Sequence, residues 1–182
     1  MNTNVDSRHE VLFYESDSVL IESLSRFIGN ALRLRNPAIV FATKPHREDV
    51  AQQLSRGGFD VGDAINRGVY ISLDAPEMLS TIMVNGEPDR LRFFEGLCSL
   101  IEIAAKAAKT EHPRVAICGE CLGLLCAEGN MNAAIQLEEV ANDFGRSHSV
   151  EMMCAYPLSA FTEDQYHGYE RICTEHTAVY SC

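Results

Sequence analysis

Short apolar runs alternate with stretches of helical periodicity along the chain. Three runs, residues 11–14, 38–42 and 69–73, have strand length, and two more end at Gly119 and Pro157. Continuous apolar runs are typical of strands that are buried on both faces of a parallel sheet. Between them, residues such as Leu20, Leu24 and Ile28 recur at the spacing of a buried helix face.

This alternation predicts an α/β protein with three layers, α/β/α, around a mostly parallel central sheet. Residues 114–157 form its most informative part, a strand, a helix and a second strand, with Glu120 where the first strand ends. The 182 residues, 46% of them hydrophobic, suit one domain. We expect a flexible leader over residues 1–8 and a single domain over 9–182.

Parallel sheets of this type bind ligands beyond the carboxyl ends of their strands. Applied to the predicted strands, this rule selects the candidate ligand-binding residues Tyr14, Glu15, Thr43, Lys44, His46, Asp74, Glu120, Cys121 and Tyr156. Glu120 has two interpretations of equal weight, a ligand-binding or basic carboxylate and a helix cap. A surface position is favoured over a ligand role for His46, and a structural role is favoured for His9.

Catalytic motifs are missing from the sequence. The turn after the first strand reads Glu15-Ser16-Asp17-Ser18, without the glycines and lysine that hold phosphates, and its carboxylates would repel a triphosphate. No Ser-His-acid elbow, HExxH or GxGxxG occurs. We therefore expect neither an enzyme nor a bound cofactor.

Cysteines offer one possible metal site. Cys118 and Cys121 have CxxC spacing, and Cys173 and His176 have CxxH spacing, so four zinc ligands can be written down. The halves are far apart, however, and cysteines in apolar runs are mostly buried packing residues. The favoured prediction is free thiols and no metal.

The charge balance excludes several partners. The formal net charge is -11, and no basic run occurs, so nucleic acid and anionic membranes would be repelled. No apolar stretch approaches the roughly 20 residues of a membrane span, and the start lacks the apolar core of a signal peptide. We expect a cytoplasmic protein.

Several short motifs occur in a characteristic order. They are His9-Glu10-Val11-Leu12-Phe13-Tyr14, Gly119-Glu120 followed by Leu124-Leu125, Ala134 with Leu137-Glu138, Cys154-Ala155-Tyr156-Pro157, and Ile172-Cys173 with His176. In this order the chain resembles the MEDS family of methanogen and methylotroph sensory domains. The resemblance implies a fold related to the RecA and KaiC ATPases that has lost the phosphate-binding loop.

The same resemblance implies a sensor of small organic compounds, including hydrocarbon derivatives. Relatives usually carry a DNA-binding or histidine kinase module, and this chain has neither, so the expected output is a protein signalling partner or a homodimer. Two alternatives stay open. One is a nucleotide-binding or ATPase-like enzyme that uses Glu120, Lys44 and Asp74, and the other is a protein-interaction scaffold.

Overall fold

The structure of the chain is a computed structural model that describes residues 8–161 and 166–181. Its first strand begins at Arg8. Residues 1–7, most of the predicted leader, lie outside the described range, so the leader and the single-domain organisation stay predictions.

Six strands of the described chain form one sheet in the order β3-β2-β6-β7-β1-β8, and every neighbouring pair is parallel. Their bounds are β1 Arg8–Tyr14, β2 Ala38–Ala42, β3 Tyr70–Asp74, β6 Val115–Gly119, β7 Val150–Pro157 and β8 Ala178–Ser181. The five apolar runs thus all became strands. The predicted α/β fold with a mostly parallel sheet is confirmed.

Helices cover both faces of the sheet, which gives the predicted three layers. The bounds are α1 Asp17–Arg33, α2 Lys44–Arg56, α3 Val61–Asn66, α4 Ala75–Ile82, α5 Arg90–Ala108, α6 Cys121–Ala127, α7 Met131–Ser147 and α8 Tyr166–Glu175. Helices α1 to α3 pack on one face, and α4 to α8 pack on the other. The described helices include none with the length and hydropathy needed to cross a membrane.

Some elements were not predicted from the sequence. Strands β4 (Met83–Val84) and β5 (Glu87–Pro88) form a small antiparallel hairpin. Its turn residues Asn85 and Gly86 both have positive φ, 53° and 84°, the conformation that two-residue hairpin turns favour. Strand β8 was missed because Val179 and Tyr180 are partly exposed, so it lacks the signature of a buried strand.

The strand order brings three loops together at the carboxyl edge of the sheet. Strand β2 lies between β3 and β6, so the residues that follow these three strands are spatial neighbours. Gly119 permits the close approach, because a Cβ there would lie 2.3 Å from the carbonyl oxygen of Phe41. The amide of the next residue, Glu120, donates to the same carbonyl oxygen over 3.1 Å.

Candidate functional site

A polar cluster occupies the predicted strand-end edge. We call it the strand-end group and define it as Tyr14, Asp17, Thr43, His46 and Glu120. Oε1 of Glu120 accepts a hydrogen bond from the Thr43 amide at 2.7 Å and lies 2.8 Å from Nδ1 of His46. Nε2 of His46 lies 3.6 Å from an Asp17 carboxylate oxygen. Four of its five residues, all except Asp17, are predicted from the strand ends, and their role as ligand-binding residues stays a prediction.

Glu120 does cap a helix, but not the one that follows it. It stands at the N-cap position of α6, yet its side chain makes no capping hydrogen bond there. It bonds instead to the amide of Thr43, which is the N-cap residue of α2. With 2% of its side chain exposed, this carboxylate joins β6 to the start of α2.

Electrostatics within the strand-end group favour a protonated His46. Burial alone favours the neutral imidazole, but the hydrogen bond and charge of Glu120, together with Asp17, outweigh it and raise the pKa of His46 above 6.5. Burial and the charges of Glu120 and Asp17 raise the pKa of the Tyr14 phenol. The His46 side chain is 15% exposed, so it is a partly buried bridge and not the surface residue that the sequence favours.

Asp74 acts as a helix cap beside the strand-end group. One of its carboxylate oxygens accepts a hydrogen bond from the Glu77 amide at the start of α4, over 3.1 Å. The other lies 3.2 Å from a guanidinium nitrogen of Arg47 on α2. Asp74 thus joins the starts of two helices.

The remaining predicted residues are dispersed. Glu15 is exposed, and Lys44 points outward, 4.0 Å from Glu48. Cys121 is buried under α4, with Sγ 4.0 Å from the carbonyl oxygen of Ala75. The Tyr156 side chain lies on the face of the sheet covered by α7, where it donates to Glu138 over 2.5 Å. The structure therefore does not bring Tyr156 into the strand-end group.

The cysteine pairs do not form one cluster. Cys118 belongs to the core under α1 to α3, whereas Cys121 belongs to the core on the opposite face. Burial raises the pKa of the Cys121 thiol to about 12 and that of Cys118 further, so both are neutral thiols. The six cysteines within the described residues are all free.

A second polar cluster lies inside the protein, between the sheet and helices α7 and α8. We call it the buried group and define it as His9, Glu138, Cys154 and His176. One potential ligand atom from each residue lies within 4.8 Å of the others. Nε2 of His9 is 3.2 Å from Sγ of Cys154 and 3.5 Å from Oε2 of Glu138, and Nε2 of His176 is 3.2 Å from Oε1 of Glu138.

Neighbouring polar groups fix the orientation of the buried group. The amide nitrogen of Asn142 donates to Glu175 at 2.8 Å, so its oxygen faces Nδ1 of His9 at 2.7 Å. Nδ1 of His176 lies 2.6 Å from the carbonyl oxygen of Ile172. Both imidazoles therefore carry the Nδ1 proton and turn Nε2 toward Glu138.

Burial acts differently on the ionisable residues of the buried group. It lowers the pKa of His9 and raises that of the Cys154 thiol. For His176, Glu138 outweighs burial and raises the pKa. For Glu138, burial is outweighed by the imidazoles and the Tyr156 hydroxyl, which lower the pKa. The carboxylate thus stays ionised in the interior.

Sequence reasoning did not find the buried group, although signals for it exist. His9 was expected to be structural and remote from the binding edge. It alternates with Val11 and Phe13, so it faces the same interior layer. Glu138 and Asn142 stand at i and i+4 on the apolar face of α7, where two polar side chains need partners.

An apolar cavity of about 60 Å³ lies between the sheet and helices α4 to α7. Its lining contains only apolar residues, a glycine and cysteines, and it includes Phe41, Met78, Phe93, Leu97 and Leu137. Cys154 lines the cavity and also belongs to the buried group, so the two features adjoin. An apolar cavity offers water no hydrogen-bond partners and can hold a small apolar molecule.

Comparison with known families gives a match over most of the chain. The family model of MEDS, described as the "MEthanogen/methylotroph, DcmR Sensory domain", matches residues 8–172. The match spans nine-tenths of the chain and every strand except β8. No curated protein matches the sequence. The relationship to RecA and KaiC stays a prediction.

Proposed function

The chain belongs to the MEDS family of sensory domains, and from that premise we propose that it is a non-catalytic sensor of a small, largely apolar organic molecule. Hydrocarbon derivatives are the ligand class that we favour. We further propose that a signalling partner, or a second copy of the chain, reads the bound state.

The observation that carries this proposal is the cavity beneath α4 and α5. Phe41 and Gly119 at the ends of β2 and β6 contribute to its lining, so it adjoins the edge where α/β sheets bind ligands. A volume of about 60 Å³ has room for only a few heavy atoms. Size and apolar lining thus both favour a small hydrocarbon-like ligand.

The strand-end group is a weaker candidate for binding this ligand. Oε1 of Glu120 already accepts from the Thr43 amide and contacts His46. Breaking these contacts for an apolar ligand would leave a buried charge without partners, which is costly. We therefore propose the cavity as the ligand site and the strand-end group as a structural brace beside it.

Signalling requires that the ligand bind two conformations with different affinity. A coupling of about 1 to 3 kcal/mol is typical of such systems. Helices α4 and α5 contribute Met78, Ile82, Phe93 and Leu97 to the lining, and they are joined by the β4–β5 hairpin. We propose that these two helices shift when the cavity fills.

A thermal-shift screen tests the proposal. Short alkanes, alcohols and haloalkanes should raise the melting temperature, because a ligand at 100 times its Kd stabilises the native state by about 2.7 kcal/mol. Ala141→Leu, which fills part of the cavity, should abolish the shift. Ala51→Leu on α2, a partly exposed position outside the cavity lining, is the matched control and should keep it.

The same screen distinguishes the proposed sensor from the alternative of a nucleotide-binding enzyme. Magnesium with ATP should leave the melting temperature unchanged if the chain is a sensor of apolar molecules. A shift with ATP that Glu120→Gln removes would instead support the nucleotide-binding alternative. The cavity is not the ligand site if no organic compound raises the melting temperature, or if Ala141→Leu and Ala51→Leu show equal shifts.

A further inference from the structure

We propose that the buried group binds one divalent first-row transition metal ion, with Zn²⁺ as the best match, through His9, Glu138, Cys154 and His176. This inference does not depend on the sensory ligand. It also differs from the cysteine set read from the sequence, with which it shares only His176.

The ligand types and spacing favour a tetrahedral ion. Two imidazoles, a thiolate and a carboxylate are all zinc ligands, with bonds of about 2.0 to 2.3 Å. Tetrahedral geometry at those lengths places ligand atoms about 3.3 to 3.8 Å apart. In the structure the separations are 3.2 Å and 3.5 Å from Nε2 of His9 to Cys154 and Glu138, and 3.9 Å from Cys154 to Glu138, and all four ligand atoms lie within 4.8 Å of one another.

Hydrogen bonds outside the cluster prepare both histidines. Metal-bound imidazoles usually donate their other ring N–H to an oxygen acceptor, which fixes the tautomer. Nδ1 of His9 faces the Asn142 oxygen, and Nδ1 of His176 faces the Ile172 carbonyl oxygen. In its neutral form each imidazole therefore carries its lone pair on Nε2, the nitrogen that faces the centre of the cluster.

His176 supplies an independent observation. Its side chain is fully buried, and its Nε2 makes no well-formed hydrogen bond among the described residues, because Oε1 of Glu138, 3.2 Å away, also accepts from the Tyr156 hydroxyl. A buried nitrogen without a well-formed partner is costly, and each such case in a native fold requires an explanation. A metal ion between these atoms would provide that partner.

Charge also balances in the proposed site. Binding releases the Cys154 thiol proton to solvent, so a thiolate and the Glu138 carboxylate together neutralise a divalent cation. The Tyr156 hydroxyl donates to Oε1 of Glu138, which keeps the carboxylate oriented. A neutral metal site is acceptable in the interior, where an unpaired charge is not.

The fold holds the ligands in place from both ends of the chain. The Thr177 amide donates to the His9 carbonyl oxygen at 2.7 Å, and the His9 amide donates to the Thr177 hydroxyl at 3.0 Å. Strand β8 then continues the pairing with β1. The metal would thereby fasten α8 and β8 to the sheet.

Metal titration of the full chain tests this proposal. After chelator treatment and desalting, the wild type should bind about one equivalent of Co²⁺ or Zn²⁺. The Co²⁺ form should show the charge-transfer absorption of a thiolate ligand. Cys154→Ser should lose that absorption, whereas Cys126→Ser, a change at another buried cysteine outside the group, should retain it.

A second variant tests the site even if Cys154→Ser does not fold. Asn142→Ala touches no proposed ligand atom of the metal, and it should weaken metal binding by about 10- to 100-fold, the usual effect of losing a partner that orients a ligand. Circular dichroism checks that it is folded. The proposal is overturned if folded wild-type protein binds no metal, or if the absorption and the affinity are unchanged in both variants.

Discussion

The strand-end group and the buried group use similar chemistry in different environments. Each centres on a glutamate beside histidine, and both carboxylates are almost fully buried. Glu120 meets a backbone amide and one partly exposed imidazole, whereas Glu138 meets two buried imidazoles and a phenol. The first arrangement pairs groups across a helix start, and the second concentrates potential ligand atoms around one point. A polar residue at the strand-end edge can thus serve to hold two elements together, while the cluster of potential metal ligands lies in the interior.

Removal of Glu138 should have the largest effect. Glu138→Ala leaves His9, His176 and Tyr156 without their shared partner in the interior, and breaking a buried charged cluster costs about 3 to 5 kcal/mol. Urea denaturation with chelator present measures this loss. Glu139→Ala is the matched control, because Glu139 is exposed and pairs with Arg171 at the surface. Equal losses in the two variants would contradict a special role for the buried group.

Removal of Glu120 should cost less stability than removal of Glu138, because fewer buried groups have Glu120 as their partner. Glu120→Ala leaves the Thr43 amide without its partner, at about 1 to 3 kcal/mol. Glu120→Gln retains an acceptor for that amide, so its loss should be smaller. The same urea experiment measures both variants. If the two lose equal stability, Glu120 does not act through the Thr43 amide.

Much of the strand-end group could be predicted from sequence, since its backbone positions follow from strand ends. Thr43 and Glu120 each follow an apolar run, and neighbouring parallel strands bring such positions together. The rule does not give the face on which a side chain lies, so it also selects Tyr156, whose hydroxyl contacts Glu138 instead. The buried group depends on the pairing of β1 with β8, which joins His9 and His176 from opposite ends of the chain. No local sequence pattern predicts that β1 and β8 are neighbours in the sheet.

The smallest expected effect is the pH dependence from His46. Glu120 and Asp17 face this imidazole and raise its folded-state pKa above 6.5. A raised histidine pKa stabilises the fold below the unfolded value, and this stabilisation is lost as the pH rises through the folded value. Stability of the wild type relative to His46→Gln should therefore fall as the pH rises above 6.5. An NMR titration of His46 with a pKa at or below 6.5 would contradict this.

We propose that small apolar molecules bind inside the protein, beside the strand ends and not at the strand-end group. Diffraction from crystals held under xenon tests this directly, because xenon enters dry apolar cavities. We predict an anomalous peak among Phe93, Leu97 and Leu137, and its absence in Ala141→Leu. A wild-type crystal without a peak in that cavity would contradict the claim.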